Sequence, residues 1–222
     1  MGVYELDKST VIGLVLGIVA LGVGMVLKGV GLAALLNPAA ILIIIVGTIA
    51  TIVIGFPMDE LKRIPKLFGV IFKEQKLVPD HEVIKLFSNW ADLARREGLL
   101  ALESKTTDVE DPFLKNGLTL AIDGQNADYI RDVLTEEINA LEERHSTGAQ
   151  IFTQAGTYAP TLGVLGAVVG LVAALGDMND IEKLGHAISA AFIATLLGIF
   201  TGYVLWHPFA NKLKRKSKQE VR

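Results

Sequence analysis

Apolar and polar positions along the chain fall into blocks rather than an even mixture. Val11–Leu27 and Pro38–Phe56 contain no Asp, Glu, Lys or Arg, and no formal charge lies between Arg144 and Asp177 or from Leu184 to Asn211. A helix rises about 1.5 Å per residue and a hydrocarbon core is roughly 30 Å thick, so each block is long enough to cross a bilayer. The pattern predicts four transmembrane helices, in two pairs that bracket a charged middle segment. Strand-like alternation is missing throughout, so the fold class is all-α.

The middle segment carries its own periodicity. Pro57 closes the second span, and Leu61, Ile64, Leu67, Phe68 and Ile71 recur at helical spacing among lysines. This predicts an amphipathic segment near the inner membrane surface, with Pro65 bending it or marking its first turn. Val83, Leu86, Phe87, Trp90, Leu93 and Leu100 form a 3.6-period stripe on a helix with Asp80 as N-cap. Asp111-Pro112 reads as a cap followed by proline at the first helical position, opening a helix through Ile122 that stops at Gly124. Asn126 caps a longer helix, with Ile130, Leu134, Ile138 and Leu141 on one face. That helix runs almost without a breaker into the third span. The expected organisation is spans one and two at 1–56, a helical cytoplasmic domain at 57–148, spans three and four at 149–210, and a basic cytoplasmic tail at 211–222.

Composition sharpens this picture. Of 222 residues, 51% are hydrophobic, and the mean hydropathy is +0.45. Cysteine is absent, which removes disulfides, thiol nucleophiles and thiolate metal sites. The first apolar run has no small-residue cleavage site and is soon followed by another span, so it is not expected to be a signal peptide. Of the 21 basic residues only Lys28 and Lys183 fall in the two short connections. The positive-inside rule therefore places both termini and the middle segment in the cytoplasm, in a multi-pass protein of the cell membrane. Residues 57–150 hold more acidic than basic side chains and lack a basic stripe with interleaved aromatics, so no nucleic-acid partner is expected. There is no phosphate-binding G-x-x-x-x-G-K-[ST] loop. The four histidines (His81, His145, His186, His207) lack metal-ligand spacing. No metal, cofactor or enzymatic activity is predicted.

The spans carry small and hydroxyl residues instead of charges. Gly166 and Gly170 form a G-x-x-x-G pair, Ala190, Ala194, Gly198 and Gly202 lie in one file, and Gly13 and Gly17 mark the first span. Such files let backbones approach closely, within one chain or between copies; three spans of this kind point toward a tight homo-oligomer. Pro160 removes the hydrogen bond to the Gly156 carbonyl, which then needs a water, an ion or a neighbouring Thr157 or Thr161 hydroxyl. Thr195 has two readings: its hydroxyl bonds back to the Ala191 carbonyl, or it coordinates a hydrated ion or relays a proton. Tyr203 and Trp206 read as an interfacial aromatic belt, ending at His207-Pro208. If ions cross here, the intramembrane carboxylate has to come from another polypeptide. In the middle segment, 93–103 (LARREGLLALE) reads as a charged helix bearing an apolar stripe. Its charges are either a solvated face, with Asp92 pairing to Arg95 or Arg96, or a docking surface for a charged partner.

The runs 154–171 (QAGTYAPTLGVLGAVVGL), 186–208 (HAISAAFIATLLGIFTGYVLWHP) and 93–103 resemble the MotA family of flagellar-motor stator subunits, especially members from Gram-positive bacilli, over essentially the whole chain. The wider group is the MotA/TolQ/ExbB proton channel family. The resemblance implies a ring-forming homopentamer around a MotB dimer, whose single span supplies an ion-binding Asp and whose periplasmic domain grips peptidoglycan. It implies that Arg95 and Glu103 face the rotor protein FliG, that Pro160 and Pro208 couple ion flow to rotation, and that Thr195 lines the ion path. Ala167 stands where sodium-driven relatives carry threonine, which implies protons as the transported ion. Family members continue past the position of Arg222, implying further cytoplasmic residues. Two other classes stay open: a TolQ/ExbB-type energiser of an outer-membrane system, whose relatives have three spans, and a purely structural membrane scaffold.

Overall fold

The computed structural model describes residues 6–75, 78–176 and 180–222 and is helical throughout, apart from one isolated antiparallel bridge between Leu6 and Lys73. Four of its helices are long and apolar enough to span a membrane: α1 (Lys8–Leu27), α2 (Pro38–Gly55), α8 (Ala127–Gly176) and α9 (Ile181–Val221). Between α2 and α8 come α3 (Met58–Leu61), α4 (Ile64–Phe72), α5 (Asp80–Glu97), α6 (Glu103–Thr106) and α7 (Pro112–Ile122). Two π-helical stretches, Leu42–Val46 and Thr201–Trp206, interrupt α2 and α9.

Local chemistry sets most helix starts. Asp7 accepts from the Thr10 N–H, Asn37 from the Ala40 N–H ahead of Pro38, Asp111 from the Leu114 N–H ahead of Pro112, and Asn126 from the Tyr129 N–H. Each satisfies a donor that the first helical turn leaves orphaned. Asp180 caps α9 by accepting from the Glu182 and Lys183 N–H groups. The expected cap at Asp80 is displaced by one residue: Pro79 is the N-cap, it has no side-chain acceptor, and Asp80 lies in the first turn of α5. α8 runs unbroken for 50 residues through the expected junction with the third span, with Pro160 inside it.

The chain divides into two compact units, Met1–Gln75 with His145–Lys218, and Lys76–Arg144 with Gln219–Arg222. In the first, α1 buries only Met25 and leaves Leu16, Val19 and Leu27 exposed, as suits a helix bathed in lipid. Its core lies at the charged ends of the spans. Ile71, Ala149, Phe152, Phe209, Ala210 and Leu213 are buried together, with Leu67, Phe68, Phe72 and Trp206 packed on them. Phe68 meets Phe152 edge-to-face at 5.2 Å, and Phe72 meets Phe209 at 5.7 Å. The apolar face of α4 is thus buried against other helices of its own unit. Trp206 is half-buried and packs on Phe152 and Phe209, whereas Tyr203 stays exposed.

One ionic cluster ties the ends of this unit together. Lys212 Nζ lies 2.8 Å from both Asp7 carboxylate oxygens, and Lys216 Nζ lies 3.0 Å from Oδ2. Lys216 also donates to the Val70 and Lys73 carbonyls closing α4, and the Asp7 N–H donates to Phe72 O at 2.8 Å. Burial pushes the Asp7 carboxyl up, but the Lys212 and Ser9 hydrogen bonds, then Lys216 and the Thr10 N–H, outweigh it and hold the group well below the usual carboxylate range.

The second unit centres on Trp90, Leu102 and Leu118, with Leu86, Leu93, Ala94, Val109 and Ile122 around them. Helix α5 ends at Gly98, whose φ of +87° is the left-handed conformation that glycine adopts without a Cβ clash. The chain then makes a 3-10 turn over Leu99–Leu102, which buries Leu102 and leaves Leu100 72% exposed. The stripe therefore does not extend to Leu100, and the stretch 93–103 is not one helix.

Candidate functional site

Helices α8 and α9 meet along a seam of small residues. A Cβ added to Gly198 would lie 2.7 Å from the Ala159 carbonyl oxygen and 2.8 Å from Gly163 Cα; one added to Gly163 would lie 2.9 Å from Ala194 O and from Gly198 Cα. Real Cβ atoms do not sit so close, so the two backbones are in direct contact. Further along, Gly166 faces the Ala194 methyl and Gly170 faces Ala191. The small-residue files of the third and fourth spans are thus spent on each other within one chain. In the first span, Gly17 faces Val204, while nothing lies within 4 Å of a Cβ at Gly13.

Pro160 stands at one end of this seam. Its ring would touch a Cβ on Gly202, as would the Gly156 carbonyl oxygen at 2.8 Å. That is the carbonyl which loses its hydrogen bond to Pro160. Neither threonine serves it: Thr157 donates to Thr153 O, and Thr161 to Tyr158 O. The bare backbone of Gly202 covers it instead, a close C–H approach that only glycine permits. Gly202 belongs to the π-helical stretch of α9, so the proline interruption in one helix faces a widened turn in the other. The His207 ring also lies against Gly156, 2.8 Å from where a Cβ would stand. The pattern marks the Gly156 carbonyl as needing a partner, but nothing in it pairs Gly156 with Gly202 or His207.

Thr195 and Ala167 flank the same seam. Each is half-buried and follows a buried seam residue, Ala194 and Gly166 respectively. The Thr195 hydroxyl donates to Ala191 O at 3.3 Å, the local bond that a helical threonine makes by default. Pro208 is exposed and borders a cavity between the start of α1 and α9. The seam presents no carboxylate and no ammonium along the uncharged stretches of α8 and α9.

Arg95 and Glu103 lie in the other compact unit. Arg95 occupies the last turn of α5 and Glu103 opens α6, on either side of the Gly98 bend; both are exposed. Among the described residues, no ion pair involves Arg95, Arg96, Asp92 or Glu103. The expected pairing of Asp92 is therefore not made, and these charges stand free in solvent.

The sequence pattern of the MotA/TolQ/ExbB proton channel family matches residues 105–222, and that of the motility protein A N-terminal region matches 11–98. The chain belongs to the MotA/TolQ/ExbB proton channel family. Within that family it is 68% identical to "Motility protein A" of Bacillus subtilis (strain 168), over 98% of this chain and 80% of that protein. It is 33% identical to "Chemotaxis protein PomA" of Vibrio alginolyticus, over 97% of this chain and 84% of the other. Among solved structures it resembles the flagellar MotAB stator complex from Bacillus subtilis (TM-score 0.91, 69% identity, 97% of this chain and 84% of that one). It also resembles C. jejuni MotAB (TM-score 0.90, 32% identity, with the same coverage). The function that goes with this membership is that of a flagellar-motor stator subunit of the proton channel type; the chain is a multi-pass membrane protein and not an enzyme.

Proposed function

We propose that this chain builds the wall of an ion channel whose titrating carboxylate sits on a MotB-type partner, and that ion passage turns the wall against the rotor. The observation that carries the reading is the α8/α9 seam: two spans held backbone-to-backbone, with hydroxyls and a proline-freed carbonyl but no charge. A neutral wall of this kind guides an ion without trapping it. A partner's Asp is held by donating hydroxyls while charged and slides past apolar surface once a proton neutralises it. Five copies would surround two partner helices, with the exposed Arg95 and Glu103 turned toward FliG and both termini in the cytoplasm. One charge crossing 100 mV releases about 2.3 kcal/mol, several times thermal energy, so each proton can bias one rotational step. Pro160, against the π-turn at Gly202, is the place where α8 can flex as the step occurs. The four spans favour this reading over a three-span TolQ/ExbB-type energiser. Ala167, with no hydroxyl to replace a sodium ion's hydration shell, supports protons.

The test is complementation of a stator-less bacterium with this gene and its MotB-type neighbour. Swimming is expected to return in sodium-free medium. Thr195→Val is expected to cut torque while the complex still assembles, and full torque in that variant refutes a pathway role. Arg95→Asp is expected to stop swimming until an opposite charge change is made in the rotor.

A further inference from the structure

Beyond the channel wall, the first compact unit holds a cavity of about 400 Å³ between the start of α1 and the far part of α9. Its two ends differ in chemistry. One is lined by Ser9, Thr10 and Lys212, the other by Gly13, Leu14 and Val204. The absence of any atom within 4 Å of a Cβ on Gly13 is what opens the apolar end. Among the described residues, the polar end has one carboxylate, Asp7, for two ammonium groups, Lys212 and Lys216, a surplus of one positive charge. Lys216 is buried and spent on carbonyls and Asp7, while Lys212 borders the cavity. This surplus sits where the uncharged stretch of α9 ends, and the end of an apolar span is where basic side chains meet lipid headgroups.

We propose that this cavity is a binding site for an anionic phospholipid, its headgroup phosphate beside Lys212, Ser9 and Thr10 and one acyl chain along Gly13, Leu14 and Val204. Basic pockets between spanning helices recognise anionic headgroups by this combination of charge and groove. A soluble anion would satisfy the lysine but leave the apolar end empty, and a zwitterionic lipid would bring no net charge to match the surplus. The proposal needs only that the chain spans a membrane, so it stands apart from the assignment of ion, partner and rotor.

The chain has two tryptophans, and Trp206 packs 6.4 Å from Phe209, a residue of the cavity wall. Trp90→Phe leaves Trp206 as the only reporter. The full chain carrying that change would be reconstituted in vesicles containing phosphatidylglycerol or phosphatidylcholine brominated on the acyl chain. Brominated phosphatidylglycerol is expected to associate about fivefold more strongly, the effect of one lysine near an anionic lipid. Gly13→Leu, which fills the apolar end, and Lys212→Gln, which leaves Asp7 paired with Lys216, are each expected to bring it down to the phosphatidylcholine level. Equal quenching by the two lipids in the parent chain overturns the proposal, as does a preference that survives in both variants. Loss of the preference on adding inorganic phosphate assigns the polar end to a soluble anion and overturns it as well.

Discussion

The α8/α9 seam and the Trp90 core are held together by opposite means. In the seam, Gly163 and Gly198 bring two backbones into contact and leave no room for a methyl group. In the second unit, Trp90, Leu102 and Leu118 interlock as large side chains, with Phe87 5.4 Å from Trp90. The difference follows the solvent. Lipid tails are as apolar as leucine, so helices in a bilayer gain by close packing rather than by burial. In water, removing apolar surface from solvent is the driving force. The seam is therefore vulnerable to added atoms and the core to lost ones.

The largest expected effect comes from Trp90→Ala, which empties the centre of a small core. A loss of about 3–5 kcal/mol is expected, read as rapid proteolysis within 78–144 of the full-length protein while the spans stay protected. Protease resistance equal to that of the parent chain would mean the core is not what holds this unit. Gly198→Ala adds one methyl against the Ala159 carbonyl, a backbone group unable to move aside, and is expected to cost about 1–3 kcal/mol. Thermal unfolding of the purified protein would show it, with Gly24→Ala, where a Cβ meets nothing within 4 Å, as the reference that should not lose stability. If the two variants melt together, the seam is looser than its geometry indicates.

A last test sharpens the contrast by using charge rather than volume. Because Asp7 is held below its ordinary range in the folded state, its contribution is fully present above about pH 4 and fades as pH falls further. Asp7→Asn is expected to destabilise the protein at pH 7 by roughly 1–3 kcal/mol and to flatten its stability profile below about pH 4. Lys216 keeps its carbonyl partners in that variant, which bounds the loss. Parallel pH profiles for variant and parent would show that the cluster does not couple to folding.

Features that depend on neighbours in sequence were legible. The four uncharged blocks, the caps at Asp111 and Asn126, the stop at Gly124 and the run of α8 through the third span all follow from periodicity and first-turn hydrogen bonding. The cap falls on Pro79, one residue before Asp80, because both residues suit a helix start. The bend at Gly98 has no local mark, because an isolated glycine in a helical pattern is usually tolerated. The small residues announced that helices approach closely but not which ones, and the aromatic at position 206 carried no mark separating a lipid-facing belt from a core.

By itself, then, the sequence determined that the chain is helical, where it crosses the bilayer, and that its spans hold no charge of their own, since length, hydropathy and capping act over a few residues. Only the tertiary structure decided that Gly202 covers the carbonyl freed by Pro160, that His207 lies against Gly156, and that Asp7 meets Lys212 across 205 positions. Those choices rest on contacts between distant segments, whose energy depends on the shape of both partners at once, and no local pattern carries that shape.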